Sequence, residues 1–211
     1  MTTELVPTPA GDARITWHRA AAPRAVVALG HGAGGGIGAR DLVALAAALP
    51  ARGITVALVE QPWRVAGKRL GPAPKTLDAA WTPVAGLLAG HGVPLVVGGR
   101  SAGARVACRT GAATGAAGVV ALAFPLHPPG RPEKSRAEEL LESGLPTLVV
   151  QGAADPFGGP DEFPELPAGH TLVPLPYGNH GFDVPKRAPV GQDEVLDLIT
   201  GAVGDWVLGL V

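Results

Sequence analysis

The chain contains a single cysteine, Cys108. That excludes an intramolecular disulfide and any metal centre built on several thiolates. Charged residues make up only 17% of the chain and the formal net charge is -1. A basic surplus, the electrostatic footprint of a nucleic-acid binder, is therefore missing, and so is an acidic interaction tail. No apolar run approaches the roughly 18 residues that a bilayer span requires. The N-terminal stretch MTTELVPTPAGDARITWHRA has acidic residues early and no apolar core of signal-peptide length. These absences lead us to expect a cytoplasmic protein without a nucleic-acid or membrane partner; they set no oligomeric state.

What is present suits one globular unit. Hydrophobic residues reach 46% of 211, enough for a substantial core in a single domain covering residues 1–211. The 31 glycines and 22 prolines are spread along the chain rather than gathered in one tract, which reads as loop chemistry. Short β-prone runs fall at residues 25–29 (AVVAL), 54–59 (ITVALV), 95–97, 119–124, 148–151 and 171–175, with an early strand at 14–18. Helical patterns lie between them at 41–49, 76–88, 102–110 and 194–208. Pro83 should bend or bound the second of these. Continuous apolar strands separated by helices predict an α/β protein, a mostly parallel, doubly wound sheet flanked by helices. The longest insertion, 125–146, is Pro- and charge-rich with a short helix expected at 135–143.

One pentapeptide carries the chemistry. Gly99-Arg100-Ser101-Ala102-Gly103 matches G-x-S-x-G, in which a strand turns sharply into a helix and leaves the serine hydroxyl exposed. The flanking glycines remove side chains that would clash in so tight a turn. A strand (PLVV) precedes it and a helix (ARVACRT) follows, as the motif requires. The Gly-rich segment GHGAGGG at 30–36 directly follows the AVVAL strand. Folds with this elbow build an oxyanion hole from one backbone N–H in that loop and another from the residue after the nucleophile; Ala33 and Ala102 are the expected donors. A dinucleotide loop is the rival for 30–36, but no acidic residue follows at the required distance.

A serine needs a base, and the base needs an orienting group. Asp155 follows the LVVQ strand and His180 follows the TLVPL strand, giving the chain order Ser, acid, His. All three therefore fall beyond the carboxyl ends of parallel strands, where open sheets bind ligands. Other titratable residues fit bland roles better. Asp161 reads as a surface-loop residue, and Asp183 as a salt-bridge partner of Lys186 or Arg187. His170 precedes a strand and so belongs at the opposite edge. His18 and His91 sit in turns or at strand ends, and Cys108 suits core packing. His31 should brace the glycine loop. His127 either lines the pocket or caps a loop. Arg100 could bind an acidic group of a substrate or form a structural ion pair; the second is the commoner use of a partly buried Arg. His31, Arg100 and His127 are thus the possible pocket-lining residues.

The elbow, the HGAGG loop, DPFGG and NHGF together resemble the α/β-hydrolase superfamily, near its dienelactone-hydrolase-like branch. FPLHPPGRPEKSR and QGAADPFGG resemble proteins related to testis-expressed protein 30 and the NSL complex regulatory subunit. The resemblance spans roughly residues 25 to 205. It departs from dienelactone hydrolases in having Ser101 where they use cysteine, and from the G-R-S-M-G elbow of the second group in having Ala102. It implies a hydrolase fold, and since sheet and helices use nearly all 211 residues, only 125–146 is left to form a rim or small flap, so a minimal fold without a large lid is expected. The implied activity is that of a serine esterase on a small-molecule ester or thioester, with Ser101 as nucleophile, His180 as base and Asp155 as supporting acid. No metal or organic cofactor is expected. Some members of the superfamily are scaffolds, so a non-catalytic module that binds a protein partner is the alternative.

Overall fold

A computed structural model describes residues 2–211. Eight strands form one sheet in the order β1-β2-β4-β3-β5-β6-β7-β8. The strands are β1 (Thr2–Thr8), β2 (Gly11–His18), β3 (Ala25–Gly30), β4 (Ile54–Glu60), β5 (Leu95–Arg100), β6 (Gly118–Leu122), β7 (Thr147–Gly152) and β8 (His170–Leu175). β1, β2 and β4 pair antiparallel; every pairing from β4 across to β8 is parallel. β1 was not expected. It is an edge strand of mixed character, TTELVPT, mostly exposed, and its place is set by register against β2 rather than by its own apolar content.

Six helices cover the sheet: α1 (Arg40–Ala48), α2 (Pro62–Val65), α3 (Pro74–Ala89), α4 (Ala102–Thr110), α5 (Ala137–Leu141) and α6 (Gln192–Leu210). Side chains alternate across a strand, so β3 feeds two cores. Val26 and Ala28 pack with Trp81 and Val84 of α3 and Val106 of α4. Val27 and Leu29 pack on the other face with Leu42 and Leu45 of α1 and Ile199 and Val203 of α6. β3, β6 and β7 are buried from end to end and β4 and β5 in all but their last residue, which is why they read as continuous apolar runs.

Two local expectations change. Pro83 lies inside α3 without ending it. Pro83 and Ala79, whose carbonyl loses its helical donor, are both exposed, so water can satisfy the freed oxygen. β6 stops at Leu122, because Ala123 turns to φ 45° and leaves the sheet. The 125–146 insertion carries only the one-turn α5, which packs against α4.

One contact fixes the geometry of the sheet's carboxyl edge. A Cβ on Gly103 would lie 2.6 Å from both the carbonyl carbon and oxygen of Gly30, and one on Gly99 would lie 2.5 Å from the Gly30 oxygen. α4 can start against β3 only because both side chains are missing. Gly201, in α6, has no atom within 4 Å of a built Cβ. Gly103→Ala should therefore lose about 1–3 kcal/mol through overpacking, whereas Gly201→Ala should gain up to about 1 kcal/mol from helix propensity. Urea midpoints of the two variants check this; an unchanged midpoint for Gly103→Ala would contradict the close-packed elbow.

Candidate active site

The turn from β5 into α4 puts Ser101 at φ 54°, ψ −112°. A non-glycine residue there carries strain of about 1–3 kcal/mol and persists only when its surroundings hold it. They do: the Ser101 N–H donates to the Leu122 carbonyl at 2.9 Å, and the glycine contacts lock both flanks. The hydroxyl is thereby pushed out at the sheet edge.

Ser101 Oγ lies 2.9 Å from His180 Nε2, and His180 Nδ1 lies 2.8 Å from Asp155 Oδ2. A carboxylate can only accept, so Nδ1–H donates to Asp155 and Nε2 is left to accept the serine proton. Asp155 is buried and fully engaged: Gln151 Nε2 donates to Oδ2 at 3.0 Å and the Phe157 N–H to Oδ1 at 2.8 Å. The Phe157 ring lies 4.2 Å from the imidazole of His180. The loops bearing acid and histidine meet closely. A Cβ on Gly152 would collide with the Gly178 carbonyl, which accepts from the Ala154 N–H at 2.9 Å. Asn179 Oδ1 ties the far side by accepting from the Gly181 and Asp183 N–H groups.

Ala33 and Ala102 line one cleft with Ser101, His180, Arg100, Arg105, Pro125, Arg136 and Phe157; its volume is about 480 Å³. Ala102 is the first residue of α4, so its N–H has no intrahelical acceptor. The glycine loop approaches closely enough that a Cβ on Gly32 would lie 3.4 Å from Ser101 Cβ.

The three possible pocket residues separate. Arg100 does line the cleft, but its guanidinium is committed. Nε lies 3.2 Å from Oδ2 of the buried Asp41, at an angle outside that of a good hydrogen bond, and Nη2 donates to the His180 carbonyl. Burial raises the Asp41 pKa and the Arg100 charge opposes that rise. His31 does not line this cleft, but it does line a small recess beside Ala33 and Ala102. It is buried behind the glycine loop, with Nε2 accepting from the Gln61 N–H at 3.1 Å and Nδ1–H donating to the Gly32 carbonyl at 2.9 Å. His127 is also outside it: Nδ1 contacts the Pro128 carbonyl at 2.9 Å and Nε2 the Glu162 carboxylate at 3.0 Å, so it ties loops together.

Other assignments sort in the same way. Asp161 is exposed on a surface turn. Asp183 pairs with Arg40 at 2.5 Å rather than with Lys186 or Arg187. His170 starts β8, opposite Thr147, at the far edge of the sheet. It contacts Ser143 Oγ at 3.2 Å, but its Nδ1 is buried without a partner, so this second Ser–His pair has no orienting carboxylate. Burial pushes the Cys108 thiol up to about 12, keeping it protonated in the core. Gln151, Phe157 and Asp41 were not foreseen as site residues. Their proximity depends on tertiary turns, although Phe157 is only two residues past Asp155.

A family model described as an alpha/beta hydrolase domain matches residues 23–208. The chain belongs to the α/β-hydrolase family. No curated protein matches it in sequence. Among solved structures, a lidless α/β serine hydrolase from Xanthomonas campestris is 22% identical with TM-score 0.72, covering 99% of this chain and 94% of that one. An α-β serine hydrolase homologue from Coxiella burnetii is 17% identical with TM-score 0.75, covering 96% and 97%. A dienelactone hydrolase from Anabaena variabilis is 16% identical with TM-score 0.75, covering 100% and 97%. At these identities the likeness is one of fold, and it agrees with a hydrolase built without a lid.

The brace at His31 has a pH signature. Its pKa is lowered from 6.5, chiefly by burial, with Arg64 adding to the fall and the Gly32 hydrogen bond and Glu60 opposing it. A base with a depressed folded pKa contributes stability that is present above its unfolded pKa and lost as pH falls through 6.5 toward the folded value. Protonation would also set an Nε2–H against the Gln61 N–H. Between pH 7.5 and 5.5, wild type should lose stability more steeply than His31→Gln, by at most about 1.4 kcal/mol per pH unit. Denaturation midpoints measured at each pH check this, and parallel pH curves would contradict it.

Proposed function

We propose that this α/β-hydrolase cleaves small carboxylic esters or thioesters through an acyl-enzyme. The observation that carries the proposal is the unbroken hydrogen-bonded chain from Ser101 through His180 to Asp155. Ser101 Oγ attacks the carbonyl carbon while His180 Nε2 takes its proton. Asp155 holds the tautomer and stabilises the imidazolium. The N–H groups of Ala33 and Ala102 receive the negative oxygen, each such donor being worth about 3 kcal/mol. His180 returns the proton to the leaving alcohol or thiol, and water repeats the cycle on the acyl-enzyme. In this mechanism the residues already present supply base, acid and electrostatic stabilisation.

Within the family we infer kinship with proteins related to testis-expressed protein 30 and the NSL complex regulatory subunit, on FPLHPPGRPEKSR and QGAADPFGG. The lone, buried Cys108 suits work in a reducing cytoplasm.

Size argues for short acyl groups. Next to Ala33 and Ala102 lies a recess of only about 50 Å³ walled by Trp63, Leu77 and Val106. Long chains gain about 0.8 kcal/mol per buried CH₂ only where a groove receives them. On 4-nitrophenyl esters, kcat/KM should therefore peak at acetyl to butyryl and fall with length. Ser101→Ala and His180→Ala should each lower kcat by about 10⁴- to 10⁶-fold, and Asp155→Asn by less. A rate that climbs steadily to dodecanoyl would contradict the short-chain site. Turnover retained at the wild-type rate in Ser101→Ala would remove Ser101 as nucleophile. Failure of the folded protein to turn over any ester would favour the partner-binding module.

A further inference from the structure

The cleft beside Ser101 is lined by three arginines, Arg100, Arg105 and Arg136, and by no carboxylate. Two of the three are committed. Arg100 is held by Asp41 and the His180 carbonyl. Arg105 makes a two-pronged pair with Glu139 at 2.6 and 2.7 Å. Glu139 is shared with Arg109, which also takes Asp78. Three guanidinium groups, those of Arg105, Arg109 and Arg136, thus face only two carboxylates. Arg136 is the one without an acid partner among the described residues; its single side-chain bond is from Nη1 to the Pro125 carbonyl at 3.1 Å. It is half-buried at the base of α5; burial and the Arg105 charge lower its pKa, and the Glu139 charge only partly opposes them. A guanidinium kept short of an acceptor at a cleft wall is a fork-shaped receptor for an oxyanion.

The direction of the ester follows from the leaving group. His180 protonates the departing oxygen, so the alcohol portion lies in the larger cleft, which His180 lines with Phe157, Pro125 and Arg136 as well as Ala33 and Ala102. The acyl portion faces the recess at Ala33 and Ala102, which His180 does not line. Building on the ester-hydrolase reading above, we infer that the substrate carries an anionic group, a carboxylate or its like, on its alcohol side, and that Arg136 binds it. The chemistry is balanced without a further reagent: the acyl carbon leaves the alcohol oxygen for Ser101 Oγ, the anionic alcohol departs with the proton from His180, and water releases the acid.

The test compares 4-acetoxybenzoate with its methyl ester, which share the acetyl group and differ in charge. The neutral ester has the better leaving group, so intrinsic reactivity runs against the expected result. Wild type should favour the anion in kcat/KM by about tenfold, mainly through KM, the size of one charge-assisted pair. The preference should shrink in about 0.5 M salt. Arg136→Gln should bring the ratio to about one, and Arg136→Lys should restore part of it. Calorimetric binding of both esters to Ser101→Ala should show the same preference without turnover. If the anion binds Ser101→Ala more tightly but wild type hydrolyses neither ester, the hydrolase reading fails and only the anion site at Arg136 stands. Equal binding of the two esters, or a wild-type ratio unchanged in Arg136→Gln, would overturn it.

Discussion

The meeting of Gly30, Gly99 and Gly103 is the constraint on which the site depends. With no side chain at Gly99 or Gly103, the end of β3, the end of β5 and the first turn of α4 come within backbone contact. Ser101, caught between them, has no room to relax from φ 54°. The same approach lays the glycine loop after β3 beside the serine, so that Ala33 and Ala102 face one cleft. Strain at Ser101 and placement of its neighbouring amides are therefore one packing event. The cost of the strain, about 1–3 kcal/mol, is spread over two buried cores that grip the strands on either side.

A second layer of polar ties connects the loops to that anchor. Arg100, next to Ser101, reaches from the buried Asp41 at the start of α1 to the carbonyl of His180. The Ser101 turn, α1 and the His180 loop are thereby joined through one guanidinium. Gln151 and the Phe157 N–H hold the Asp155 carboxylate, while His31 links the glycine loop to the end of β4 through Gln61. These ties hold Ser101, His180 and Asp155 in register with one another, which the proposed chemistry needs.

Signals confined to a few consecutive residues were legible in the sequence. G-x-S-x-G, the glycine run after AVVAL, and Asp155 and His180 just past strand ends all depend on local geometry plus the rule that a parallel sheet gathers its carboxyl ends. The continuous apolar strands gave the sheet for the same reason. Features that depend on which loops meet were not legible. β1 is defined by pairing, not by pattern. Asp183 finds Arg40, more than a hundred residues away, instead of its neighbours Lys186 and Arg187. His127 could have faced the cleft or a loop, and only its contact with Glu162, 35 residues on, separates the two. Arg105 lies one helical turn past Ser101, so its place on the cleft wall could have been read from helix period. Arg136 reaches the same wall because the 125–146 segment folds back on itself, the Arg136 N–H donating to the Leu126 carbonyl.

The central claim is that packing forces Ser101 onto the cleft wall within hydrogen-bond reach of His180. A fluorophosphonate that phosphonylates activated serines tests it most directly, with intact-mass and peptide analysis to locate the adduct. Wild type should gain one stoichiometric adduct on the peptide carrying Ser101, with none in Ser101→Ala and a greatly slowed reaction in His180→Ala. Folded wild-type protein that stays unlabelled, or an adduct on a different serine such as Ser143, would contradict the account.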